Sequence, residues 1–226
     1  MFVINNKYGI KNNSPKIFFG VYWLLSVFII LASQFSYAKN NQPAAITQPI
    51  PIAQIPEYAT YSVVVKNLIF KALRLSQMNL TYLYGSSNPV NKGMDCSGTI
   101  YYLLNQITHS DVPRQASEMF TWVKSAGKLY PVTSADFNSI EFSKLKPGDL
   151  LFWSGTYKVH RDPPITHVML YLGVNKKGER LMFGASDGRT YQDKKMWGVS
   201  VFDFKLPDGK NGSRFVGYGC IPHLTC

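Results

Sequence analysis

Along residues 60–78 the apolar positions Val64, Val65, Leu68, Ile69, Ala72 and Leu75 recur at helical intervals, with Lys66, Lys71 and Arg74 between them. That spacing predicts an amphipathic helix with one buried face. A turn-rich stretch at 85–93 leads to a second helix, expected from Cys96 to about Gln106, and a short third helix is expected over 116–126. After Lys146-Pro147-Gly148-Asp149 the pattern changes, and apolar runs bounded by turn residues predict strands at 150–153, 167–172, 181–186, 199–204 and 215–221. Helices first and strands afterwards predict an α+β domain, with the N-terminal helices packed on a central antiparallel sheet.

The two ends of the chain read differently. Residues 1–38 carry Lys7, Lys11 and Lys16, an uninterrupted apolar segment from Ile17 to Ala32, and Ser36-Tyr37-Ala38. This is the layout of a secretory signal with cleavage after Ala38, and the apolar segment falls short of the roughly 20 residues that an uncleaved anchor needs. A periplasmic or secreted location is expected. Residues 39–57 are polar, with Pro43, Pro49, Pro51 and Pro56, and read as an extended linker. The stretch 58–226 fits one domain with one core and is expected to be a monomer.

The formal charge of +11 falls to +8 when Lys7, Lys11 and Lys16 leave with the signal. A basic exported protein fits association with anionic wall polymers or a membrane surface, and its compartment excludes nucleic acid. Of the three cysteines, Cys220 and Cys226 are close enough to pair across Ile221-Pro222-His223-Leu224-Thr225, which leaves Cys96 free. A zinc reading of Cys220, His223 and Cys226 lacks a visible fourth ligand, so no metal is expected.

Cys96 is placed where a helix begins, after Asp95 and before Ser97-Gly98. The first turn offers unpaired N–H groups and the positive end of the helix dipole, which favour a thiolate. Downstream, His167 opens a predicted strand, sharing one face with Met169 and Tyr171. Should the Cys96 helix pack across that face, thiol and imidazole meet, and thiol-based acyl transfer follows.

Five segments in order resemble the NlpC/P60 family of papain-like cysteine peptidases: Tyr82-Leu83-Tyr84-Gly85, Asp95-Cys96-Ser97-Gly98, Val112-Pro113-Arg114, Leu145 to Leu150, and Thr166 to Gly173. The resemblance implies a papain-like α+β fold without cofactor or metal. It further implies hydrolysis of peptidoglycan stem peptides, commonly between D-γ-glutamyl and a diamino acid. By that similarity Cys96 is the nucleophile, His167 its base, and Tyr84 a hydroxyl donor to the oxyanion. Asp95 and Ser97 shape the pocket for the substrate's free amine, and Arg114 matches a Pro-Arg pair near the cleft. Asp95 is also placed as an ordinary N-cap.

The family carries a third polar residue on the strand after the base, and the matching position here is Gly184. Three substitutes remain open: a water over Gly184, Ser186 two residues on and on the same face, or a site that binds without cutting. A papain-like amidase or acyltransferase on another acyl group and a non-catalytic wall-binding module are the rival readings.

Overall fold

The computed structural model describes residues 43–108 and 111–226. The expected signal segment, linker residues 39–42 and His109 lie outside these residues. Helix α1 (Val63–Ser76) starts where the Ser62 hydroxyl accepts the Val65 N–H at 3.3 Å, and it buries Val65, Leu68, Ile69, Ala72, Leu73 and Leu75. Strands β1 (Thr81–Tyr82) and β2 (Gly93–Met94) form a short parallel pair that delivers the chain to Asp95. Helices α2 (Cys96–Asn105) and α3 (Ala116–Ser125) follow, α2 packing on the two strands that come to carry the rest of the site.

The strands are β3 (Leu129–Pro131), β4 (Leu150–Ser154), β5 (Ile165–Val174) and β6 (Arg180–Ser186), then the hairpin of β7 (Thr190–Tyr191) with β8 (Lys194–Lys195), then β9 (Gly198–Asp203) and β10 (Arg214–Gly219). Six of them form one antiparallel sheet in the order β3-β10-β4-β5-β6-β9. The α+β expectation is thereby met, and all five predicted strands are present. β3 escaped prediction because it is three residues long and mostly exposed at the sheet edge. β5 is central and buried from Ile165 to Gly173, so it reads as a continuous apolar run in which His167 is a polar exception.

One side of the sheet carries an aromatic cluster. Phe142 stacks on Phe215 at 5.9 Å, and Phe204 and Trp153 meet edge to face. Trp153 also lies edge to face with the His167 ring at 5.7 Å, so the imidazole rests on the end of this cluster.

Residues 43–57, expected as a linker, lie against the domain. Ile46 exchanges two backbone hydrogen bonds with Trp197, the Gln48 N–H donates to Ser200 Oγ at 2.8 Å, and Ile50 and Ile55 are buried. Cys220 and Cys226 form the expected disulfide, which removes both thiolates a zinc ion would need.

Candidate active site

Helix α2 is built from its cap. Asp95 Oδ1 accepts the Gly98 N–H at 2.6 Å, Oδ2 accepts the Gly85 N–H at 2.8 Å, and Arg114 clasps both oxygens at 3.2 and 2.9 Å. Arg114 also donates to Ser97 Oγ at 3.0 Å. Asp95, Ser97 and Arg114, three residues singled out for substrate contact, thus form one network in which both carboxylate oxygens are engaged within the protein. Gly98 is required here, since a Cβ would overlap the Ser86 carbonyl oxygen, which itself accepts the Asp95 N–H.

The Cys96 side chain points from this turn onto β5. Its sulfur sits 4.0 Å from the carbonyl oxygen of Thr166, the residue before His167. The thiol is buried and free. Burial pushes it up to about 11, the Asp95 charge adds to that, and the N–H groups of Val168 and Ser97 offset only part. The expected thiolate is therefore corrected to a thiol at neutral pH: loss of hydration outweighs the helix terminus.

His167 is buried on β5, and burial first, then the Arg189 charge, hold it well below its usual range. It is a neutral imidazole at pH 7. Among the described residues, one side chain hydrogen-bonds its ring: Arg189 Nε donates to His167 Nε2 at 3.3 Å. The guanidinium also lies over the Trp153 ring at 4.2 Å. Nothing in the sequence pattern marked Arg189. It follows β6 in the Ser186-Asp187-Gly188 turn, and only the folded turn brings it back.

The family's third position is filled in an unexpected way. A Cβ on Gly184 would overlap the Met169 sulfur from the neighbouring strand, so the space proposed for a water is occupied by a side chain. Ser186 is buried, and the pairing Leu170 with Phe183 and Tyr171 with Met182, carried onward, sets it opposite His167. Its hydroxyl accepts the Arg189 backbone N–H at 3.4 Å, so its recorded link to the imidazole runs through Arg189.

Two adjoining depressions make the cleft, one lined by Cys96, Asp95, Ser97 and Arg114, the other by His167, Ser186 and Arg189, with Tyr82, Tyr157 and Thr166 common to both. Tyr84 lines the Cys96 half with its side chain 75% exposed. Tyr82 is the half-buried tyrosine at the junction, its phenol pushed up by burial and by the nearby Cys96 sulfur.

These features define an α+β domain that gathers a helix-start cysteine and a strand histidine into one cleft. The chain belongs to the NlpC/P60 family, whose sequence profile matches residues 79–200. It is 30% identical over 97 residues to the probable endopeptidase YafL of Escherichia coli strain K12, covering 43% of this chain and 32% of that protein. To the murein DD-endopeptidase MepH of the same strain it is 32% identical over 102 residues, covering 45% and 31%. To the gamma-DL-glutamyl hydrolase of Bacillus subtilis strain 168 it is 28% identical over 131 residues, covering 56% and 27%. The chain thus spans about a third or less of the length of these relatives.

Proposed function

We propose that this protein is an exported cysteine hydrolase that cuts an amide bond in peptidoglycan stem peptides, at the link between a D-γ-glutamyl residue and a diamino acid. The observation that carries the reading is the meeting of Cys96, at the first turn of α2, with the backbone of β5 beside His167. The relative named for γ-glutamyl hydrolysis favours this bond, while the relative named a DD-endopeptidase favours a cross-link between stems.

In the proposed reaction His167 Nδ1, free of its own proton once Arg189 no longer donates to Nε2, takes the Sγ proton as the sulfur adds to the substrate carbonyl carbon. The oxyanion is received by the Cys96 backbone N–H at the helix start, with Tyr84 or Tyr82 as a hydroxyl donor. His167 then protonates the departing amine, leaving a thioester on Cys96. A water, deprotonated by His167, hydrolyses it to a carboxylic acid. A neutral thiol and a neutral imidazole suit this order, because the proton moves only as the substrate is attacked. Asp95 and Arg114 hold the helix mouth in place, and Ser97 lines the pocket for the substrate's amine.

The test is digestion of purified peptidoglycan with mass-spectrometric identification of the new termini. Fragments with a newly exposed diamino-acid amine are expected, and Cys96→Ala should lower their formation by about a thousandfold or more while wall binding persists. Unchanged cutting in that variant would remove Cys96 from the chemistry. The high thiol pKa favours one second reading, a wall-binding module; binding with no new termini from the native protein would establish it.

A further inference from the structure

We propose that Arg189 is the gate of this site: it holds His167 in the tautomer that cannot accept the Cys96 proton, and a carboxylate on the substrate frees the base by drawing the guanidinium away. This rests on reading Cys96 as nucleophile and His167 as base.

The argument starts from donor chemistry. A guanidinium has only donors, so the nitrogen facing Arg189 Nε, His167 Nε2, must offer its lone pair. In a neutral imidazole that puts the ring proton on Nδ1. An Nδ1–H can donate toward a thiol but cannot take its proton. With the guanidinium withdrawn, the ring proton passes from Nδ1 to Nε2 through solvent with no change in charge, and Nδ1 becomes the acceptor the reaction needs.

Arg189 is built to be withdrawn. Its backbone is fixed, the N–H on Ser186 Oγ at 3.4 Å and the carbonyl accepting the Met196 N–H at 2.8 Å, so movement is confined to the side chain. Among the described residues no ion pair joins Arg189 to a carboxylate, and its two terminal nitrogens have no hydrogen-bond partner. Arg114, across the cleft, is clasped by Asp95. Arg189 instead rests on an indole and an imidazole, neither of which carries a counter-charge. The other cation lining this half, Lys205, is engaged with Asp193 and Asp203, and the lone acid, Asp187, is exposed. A carboxylate entering here meets one partly buried, uncompensated fork of donors, the geometry that takes a carboxylate in two parallel hydrogen bonds.

A γ-linked glutamyl residue supplies such a group, since the γ-linkage leaves its α-carboxylate free at the other end of the short side chain that carries the scissile carbonyl. A diamino acid supplies another on the far side. The shared chemistry is a carboxylate within one residue of the bond to be cut, and the gate makes the substrate itself switch on the base.

The first experiment needs no substrate. Cys96 is alkylated with iodoacetamide across pH 6–10 in the native protein, Arg189→Met and Arg189→Lys. Loss of the Arg189 cation acts both ways, weakening its attraction for the Cys96 sulfur and lifting its depression of the His167 pKa, so Arg189→Lys, which keeps the charge and gives up the Nε donor, separates charge from the hold on the ring. The gate predicts a rise of about tenfold at pH 7 in Arg189→Met and a smaller rise in Arg189→Lys. Alkylation no faster in either variant overturns the proposal, and the lysine variant, which keeps the charge, carries the test if the methionine variant fails to fold. The second experiment compares kcat on synthetic γ-D-glutamyl peptides whose glutamyl or diamino-acid carboxylate is replaced by carboxamide. The native protein should lose about tenfold or more in kcat on whichever amidated peptide lacks the gating carboxylate, and Arg189→Met should not discriminate. Equal kcat on all three peptides in the native protein overturns the carboxylate trigger. Faster alkylation with no cutting of any peptide would reject the hydrolase reading while leaving the hold on His167 in place.

Discussion

The two halves of the cleft are held by opposite means. On the helix side, Asp95 is saturated by Gly98, Gly85 and Arg114, charge is matched by charge, and Gly98 admits the backbone of Ser86. On the sheet side, the His167 ring has one side-chain hydrogen-bond partner among the described residues, and that partner is a cation without an anion. The difference teaches that the proposed nucleophile is placed by the fold alone, whereas the proposed base is held, on our proposal, in a state that one arriving group can change. Rigid positioning and poised chemistry are divided between helix and sheet.

The largest effect that would break this comparison concerns the thiol. With the Cys96 pKa at about 11 and a neutral His167, alkylation of the native protein should keep rising, about a hundredfold from pH 7 to pH 9, because the thiolate fraction grows tenfold per unit below its pKa. A plateau across that range would mean a preformed thiolate and imidazolium pair, and the poised sheet side would be lost from the picture. Next in size is the helix cap. Asp95→Ala removes an N-cap and strands a half-buried arginine, so it should cost about 3 kcal/mol in chemical denaturation, against under about 1 kcal/mol for Ser186→Ala on the other half. Equal costs would erase the claimed contrast in rigidity. The smallest effect sharpens the sheet side. Gly184→Ala drives a methyl into the Met169 sulfur and should destabilise by about 1–2 kcal/mol, and adding Met169→Ala should recover most of it in a double-mutant cycle. Additive losses would mean that the two positions do not share one space.

The helix half was legible in the sequence because its determinants are local. Asp95, Cys96 and Ser97 are consecutive, an N-cap acts within one turn, and the helical period of α1 and the apolar runs of the strands announced the elements around them. The sheet half was not, because its determinants lie across strands. That Met169 fills the place of a side chain at 184 follows only from the register of β5 against β6, and Arg189 reaches His167 only through the turn after Ser186. The protonation of Cys96 was misjudged for a related reason: the helix dipole is visible in a sequence, but the burial that outweighs it is a property of the packed whole. Proline content made 43–57 look extended, and Ile46, Ile50 and Ile55 have no period that would have placed them on the domain.

That N-terminal stretch has one more consequence. By pairing with Trp197 and capping Ser200, residues 46–48 act as a selvedge on the outermost strand, β9. A chain trimmed to begin at Tyr58 would uncover part of that fringe, although Leu80 would still take the Val199 N–H, and an uncovered fringe is a place where strands of separate molecules pair. The same few residues that look like slack in the sequence are thus a hem on the sheet.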